Sequence, residues 1–255
     1  MQTRCMLERS PKRQLPVVLL IDDDLVSREV AATVLTMSGF TVHTAETGDA
    51  ALNMLANETF RPGVILMDAQ MPGLSGLKLI AELRGRTKAR IFTISGSDAP
   101  PDVANAADGF LLKPFNAEGL SKLLDGNQPE ASPTLLDPNE PVVSVEVLAQ
   151  LRRVMPESAV RQIYSVVVAD LSGRIEALGT AIANGDAAEI RRIGHAIKGG
   201  CGMAGALQAA RLGALLEATS LNSKDNQLDN RAVLLSDLRA AARGLERMLD
   251  AELPA

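Results

Sequence analysis

The sequence predicts two unlike modules in tandem: an α/β module on a doubly wound parallel sheet, then an all-α helical bundle. Three observations carry this. With 255 residues the chain holds about two domains, each able to bury a core. Short apolar runs alternate with helical stretches in the first half, whereas after Val142 the β-branched runs thin out and Ala, Leu and Arg recur at three- and four-residue spacing. Between the halves, NQPEASPTLLDPNEP from Asn127 to Pro141 is rich in proline and polar residues and reads as a linker. The expected boundaries are a loose basic arm over 1–16, the α/β module over 17–127, the linker over 128–140 and the bundle over 141–255.

Each element has its own signal. VVLLI at 17–21, TVHT at 41–44, VILM at 64–67, IFTI at 91–94 and GFLL at 109–112 read as five strands covered on both faces, hence five βα units. Leu25 to Ser38 reads as a helix stopped by Gly39, and Gly48 to Glu58 as a second, ahead of Pro62. The segment Ser97 to Asp108 is short for a turn, helix and return, and Pro100-Pro101 keeps a helix out of its start, so the fourth helix is expected to be stunted.

Composition excludes several function classes. The hydrophobic fraction is 46% and the charged fraction 22%, and no apolar run approaches a membrane span, so no membrane partner is expected. A net charge of -5 with no Trp and one Tyr argues against nucleic acid, since both the basic surface and the stacking platforms are missing. Cys5 and Cys201 form no CxxC and only His43 and His195 accompany them, which disfavours zinc and fits a reducing cytoplasm. The basic first residues lack an apolar core, unlike a signal peptide.

Chemistry concentrates at strand ends. Asp22, Asp23 and Asp24 follow the first strand and Asp68 ends the third, at the carboxyl edge where open parallel sheets bind ligands. Carboxylates crowded there repel one another, and Mg²⁺ is the ordinary remedy, since it takes one or two carboxylates plus phosphate and water. The bland alternative is that Asp22 to Asp24 only cap the following helix. Ser95 after the fourth strand and Lys113 after the fifth bring a hydroxyl and an ammonium to the same edge. The set reads as a phosphoryl pocket, in which cations neutralise the equatorial oxygens, a hydroxyl donates and one carboxylate attacks phosphorus.

IDDD at 21–24, LMDAQMPGLSG at 66–76, TISG at 93–96 and LLKPF at 111–115 together resemble the receiver domains of two-component response regulators, over residues 17–127. The resemblance implies a flavodoxin-like (βα)5 fold and Asp68 as phosphoacceptor. It further implies Mg²⁺ on Asp22, Asp23, Asp68 and the Gln70 carbonyl, Ser95 and Lys113 on the phosphoryl group, and Phe110 as the switch aromatic. A cis Lys113-Pro114 bond is implied as well, and Asp24 is expected to cap rather than bind. A stunted fourth helix departs from the family pattern and puts the usual output surface in doubt.

The second half offers His195 in AAEIRRIGHAIKGGCGMAGALQAARL. On a helical wheel with His195 at zero, Ile190, Ile193, Ile197, Cys201, Ala204 and Gln208 fall between about 160° and 240°, placing the core opposite the histidine. Arg191, Arg192, Lys198, Gly199, Gly202 and Ala206 share its face, a rim of cations around small side chains. Gly199, Gly200 and Gly202 together cost the helix on the order of 3 kcal/mol, which close approach of a bulky partner would explain; capping or kinking is the competing account. Cys201 reads as packing.

HAIKGGCGMAG looks like the motif of histidine phosphotransfer (HPt) domains, carried by His195, Lys198, Gly199 and Gly205, over roughly 141–252. By resemblance the fold is a four-helix bundle with an exposed phosphoacceptor His195, which attacks as the neutral imidazole. No glycine-rich nucleotide lid is present, so the chain reads as a Mg²⁺-dependent phosphoryl carrier rather than a kinase, with slow aspartyl-phosphate hydrolysis allowed. Its expected partners are a sensor histidine kinase and upstream or downstream receiver domains; the oligomeric state is not readable. The competing reading is a phosphorylation-gated binding protein whose helical half docks a partner without carrying phosphate.

Overall fold

A computed structural model of the chain describes residues 15–95, 101–115, 117–127, 141–219 and 227–252. The expected linker 128–140 and nearly all of the expected arm 1–16 lie outside the described residues. The first half runs β1 (Val17–Ile21), α1 (Leu25–Met37), β2 (Thr41–Ala45), α2 (Gly48–Leu55), β3 (Val64–Asp68), α3 (Gly76–Arg86), β4 (Arg90–Ser95), α4 (Pro101–Ala106), β5 (Gly109–Leu112) and α5 (Ala117–Leu124). All strands pair in parallel in the order β2-β1-β3-β4-β5. This is the doubly wound sheet expected, and its order reverses beside β1, which places the switch crevice between β1 and β3.

Side chains alternate along each strand between two apolar layers. Val18, Leu20, Val64, Leu66, Phe92, Ile94 and Leu111 pack with α1 and α5, while Leu19, Ile21, Ile65, Met67 and Ile91 pack with α2 and α3 on the other face. Both faces are covered, so the strands read as unbroken apolar runs. The helix after β2 stops at Leu55, short of the expected Glu58. The reason is local: the Asn57 side chain accepts from the Thr59 amide at 3.0 Å and its hydroxyl at 2.8 Å, offering the backbone a turn in place of another helical bond. Helix α4 has six residues and begins at Pro101, where the missing N–H costs nothing.

The second half is all helix: α6 (Val145–Val154), α7 (Glu157–Ala183), α8 (Ala187–Met203), α9 (Leu207–Thr219) and α10 (Gln227–Glu252). The four longer helices pack in a ring, α7 on α8, α8 on α9, α9 on α10 and α10 back on α7, with α6 leading in. Tyr164 on α7 is fully buried and donates its hydroxyl to the Ala204 carbonyl at 2.8 Å, which fixes the end of α8. Helix α8 closes at Gly205, whose φ of 70° is a left-handed conformation suited to glycine.

The two halves share a core. One continuous apolar cluster runs from the α1 face of the sheet through α1 into the bundle, and α1 packs on α6, α7 and α8.

Candidate functional sites

At the carboxyl edge, Asp22 and Asp68 are buried at 0% and 4% exposure, and Lys113 reaches both: its Nζ lies 2.7 Å from Asp22 Oδ2 and 2.6 Å from Asp68 Oδ2. Strand register delivers this. Asp68 ends β3 beside β1, and the Lys113 amide donates to the Ser95 carbonyl at 2.7 Å, carrying the β4–β5 ladder one residue further. The Lys113-Pro114 bond is cis, as the resemblance implied.

The remaining valences are spread among local donors. Asp22 Oδ1 accepts from the Asp24 amide at 2.9 Å and Oδ2 from the Ser27 hydroxyl at 2.7 Å. Asp68 Oδ1 accepts from the Gln70 amide at 2.7 Å. Arg28, nearly buried, donates to the Asp22 carbonyl, a support the sequence reading did not include. Asp23 stays exposed beside the pair. Burial raises the Asp68 carboxyl above its ordinary value, with Lys113 opposing and Asp22 adding to the rise. Although Asp23 is exposed, partial desolvation against the protein raises its carboxyl too, and the charges of Asp22 and Asp68 raise it further. For Lys113 burial works downward, but the two flanking carboxylates outweigh it and hold the ammonium above its usual range.

These residues suit a hard divalent cation. Two carboxyls held above their ordinary values beside a third, with one buried ammonium among them, leave negative charge only partly balanced. Among the described residues no three His, Cys, Asp or Glu side chains form a ready cage, and Lys113 stands between Asp22 and Asp68. Mg²⁺ does not require one, since it keeps several waters and takes one or two carboxylates. Asp24 caps α1, its Oδ1 accepting from the Ser27 amide at 2.8 Å, as expected for it. Ser95 is buried at the end of β4, and Phe110 on β5 is half-buried opposite Thr93.

His195 lies on α8, its side chain 23% exposed, so it is neither sealed in the core nor fully in water. Ile190, Ile193, Ile197, Cys201 and Ala204 are buried on the opposite side, as the wheel predicts. The Cys201 thiol is pushed up to about 12 by burial, consistent with packing. The wheel fails past Ala204, the residue that caps α8 after Met203. Because α8 ends there, Ala206 does not share the histidine's face but is fully buried, and Gln208 belongs to α9. Arg191 and Arg192 are exposed, and Arg192 makes a paired contact with Glu189 at 2.6 and 2.7 Å.

The glycines divide. A Cβ on Gly199 or Gly202 would meet nothing within 4 Å, so these two do leave open space near the imidazole. Gly200 does not belong with them: a Cβ there would lie 2.8 Å from Asp24 Oδ1 and 3.2 Å from Val26 Cβ, both in the first half of the chain.

The sequence reading missed Glu217. From α9 its Oε1 lies 3.0 Å from His195 Nδ1, and its Oε2 accepts from Lys198 Nζ at 3.2 Å. The bond with His195 pulls the Glu217 carboxyl below its ordinary value; partial burial opposes this and Lys198 reinforces it. In the neutral ring a proton on Nδ1 leaves the Nε2 lone pair for attack. Glu217 is brought close by a second missed feature, where α8 and α9 touch backbone to backbone. A Cβ on Gly194 would lie 2.8 Å from the Glu217 amide nitrogen, and one on Gly213 would lie 2.6 Å from the Lys198 amide nitrogen. Small residues facing each other at 194 and 213 were the available signal, but only a known helix pairing gives it meaning.

Comparison with known proteins agrees with this division. Residues 18–125 match the response regulator receiver domain family and residues 162–252 match the Hpt domain family. Sensor histidine kinase AruS of Pseudomonas aeruginosa is 29% identical over 193 residues, 72% of this chain and 19% of that protein. Aerobic respiration control protein ArcA of Escherichia coli is 30% identical over 112 residues, 42% of this chain and 46% of that protein. The chain thus spans less than half the length of either relative. Among solved structures, response regulator TrrA of Thermotoga maritima, in complex with Mg²⁺ and BeF, is 28% identical over 44% of this chain and 98% of its own, with a TM-score of 0.39. Among the described residues no helix is long and apolar enough to cross a membrane.

Proposed function

We propose, from the premise that the chain belongs to the response regulator receiver family over residues 18–125 and to the Hpt family over 162–252, that it is a phosphoryl carrier in a two-component phosphorelay. Asp68 and His195 are its two acceptors. The receiver work falls to residues 17–127, the histidine work to 141–255, and 128–140 join them. The observation that carries the reading is the buried Asp22–Lys113–Asp68 bridge at the sheet edge, in one chain with an imidazole oriented by Glu217.

The side chains of Asp22, Asp23 and Asp68 and the Gln70 carbonyl would hold Mg²⁺. When bound it would supply positive charge for the phosphoryl oxygens. The chain's own groups do the rest. An Asp68 oxygen attacks the incoming phosphorus, Lys113 moves its charge toward the added oxygens, and Ser95 donates a hydrogen bond to one of them. At His195, Glu217 holds the Nδ1 proton so that Nε2 is the nucleophile, and Lys198, bound to Glu217, stands where the transferred charge arrives. Gly199 and Gly202 keep the approach clear. Partners would be a sensor histidine kinase and other receiver domains, in the cytoplasm.

Radioactive phosphate tests this. A small acyl phosphate donor or a cognate kinase should place base-labile label on Asp68 and acid-labile label on His195. His195→Gln should lose all of the acid-labile label and keep that on Asp68; Asp68→Ala should do the reverse when phosphate enters through the histidine. Label at Asp68 with an unmodified, dispensable His195 would replace this reading with phosphorylation-gated binding.

A further inference from the structure

The acidic triplet after β1 serves two neighbours at once. Asp22 turns into the pocket: its Oδ2 accepts from Lys113 Nζ and from the Ser27 hydroxyl, each at 2.7 Å, and its Oδ1 from the Asp24 amide at 2.9 Å. Asp24 turns toward the bundle. Its Oδ1 takes the Ser27 amide and lies 2.8 Å from where a Cβ on Gly200 of α8 would stand, and its Oδ2 accepts from the Arg174 guanidinium of α7, whose Nε is held by Asp170. Polar contacts therefore run residue by residue from Asp68 through Lys113, Asp22 and Asp24 to Arg174, out of the pocket and into the second half of the chain.

The junction is well covered. The Asp24 and Arg174 side chains are 10% and 19% exposed, and Val26, which packs against Gly200 beside them, is 1% exposed. A second cation of the bundle acts from further off. Arg192 on α8 is held above its ordinary value chiefly by its hydrogen bonds to Glu189; the charge of Arg174 works against this, and that of Asp23 adds to it slightly across the junction. Two guanidiniums of the bundle, one in contact and one at a distance, thus answer the same triplet from which the pocket would draw ligands for a divalent cation. A dication on Asp22 and Asp23 and a guanidinium on the next residue repel each other, with little solvent between them to screen the repulsion.

We propose that the bundle and a divalent cation compete for this triplet: Arg174 docked on Asp24 weakens Mg²⁺ binding in the pocket, and Mg²⁺ in the pocket loosens the dock of α1 on α7 and α8. The inference rests on the reading above that the pocket holds Mg²⁺. Coupling of this kind is reciprocal, so one factor describes both directions. Arg174 touches neither the metal nor the reacting atoms, yet from the second half of the chain it sets the metal affinity of the first.

Calorimetric titration of the full-length chain with Mg²⁺ alone tests this. Arg174→Met keeps the apolar stem, removes the cation and leaves Asp24 and Asp170 facing each other; it should bind Mg²⁺ about tenfold more tightly than the wild type. Gly200→Leu, which pries the junction apart with every charge in place, should tighten binding by a similar factor, and the double variant should add nothing further. The reciprocal arm uses Val26→Cys in a chain that also carries Cys5→Ser and Cys201→Ala. Its thiol, covered by the dock, should react with a maleimide about tenfold faster at saturating Mg²⁺. Helical melting curves establish that each variant is folded. Equal or weaker Mg²⁺ binding in folded Arg174→Met and Gly200→Leu, or a thiol whose reaction Mg²⁺ leaves unchanged or slows, would overturn the competition while leaving the metal pocket intact. No Mg²⁺ binding in any of the chains would overturn both.

Discussion

The two proposed acceptor sites solve opposite problems. Asp68 is buried with its charge partly answered by Lys113, in a pocket assembled from the ends of β1, β3, β4 and β5. His195 stands on one helix, partly in water, with one carboxylate from the neighbouring helix 3.0 Å from its Nδ1. A carboxylate must be shielded from its neighbours before it can take on a dianion, so its site is deep and many-stranded. An imidazole carries no charge in its reactive form and needs only orientation and access, so its site is shallow. The difference teaches that burial here follows the charge of the nucleophile rather than the importance of the site.

Removing the central cation should give the largest contrast. Lys113→Ala leaves two carboxylates facing each other in a buried site and is expected to cost about 3 kcal/mol at neutral pH, partly recovered on adding Mg²⁺. Urea unfolding with and without the metal measures it. The equivalent change at the other site, Lys198→Ala, removes a partly exposed ion pair with Glu217 and is expected to cost less than about 1 kcal/mol in the same assay.

Next in size are the glycines of α8, where the same substitution should have opposite signs. Gly194→Ala drives a methyl into the α9 backbone and is expected to destabilise the bundle by about 2 kcal/mol and loosen the hold of Glu217 on His195. Gly199→Ala meets open space and is expected to stabilise it by up to about 1 kcal/mol. Thermal melts of the two variants sharpen or break the division of the glycines.

The smallest effect is a pH dependence. The folded value of Glu217 lies below its ordinary 4.5, so its contribution is fully present above that value and is lost as pH falls through the depressed folded one. Glu217→Gln should therefore lower the urea midpoint at pH 7 by an amount that shrinks toward pH 3. An equal difference at both pH values would remove Glu217 as the orienting group.

Legibility in the sequence followed topology. Once five strands are recognised, the carboxyl edge of a parallel sheet gathers Asp22, Asp68, Ser95 and Lys113 without further information, because every strand points the same way. The angle of His195 relative to Ile190, Ile193 and Ile197 was readable for the same reason: it lies within one helix. Ala206 was misplaced because the wheel ran through Gly205, where the backbone turns left-handed. Glu217 and the contact between Gly194 and Gly213 depend on how two helices pair, and Gly200 on how two modules meet. Neither is written in the periodicity of a single segment.

Tyr164 carries a practical consequence. It is the chain's one tyrosine, there is no tryptophan, and its phenol is bound to the carbonyl that ends the histidine helix. Ultraviolet emission excited in the long-wavelength tyrosine band, where the five phenylalanines do not absorb, therefore has a single origin, inside the bundle, and anything that unseats that helix end should change its intensity without a dye, a tag or an engineered fluorophore.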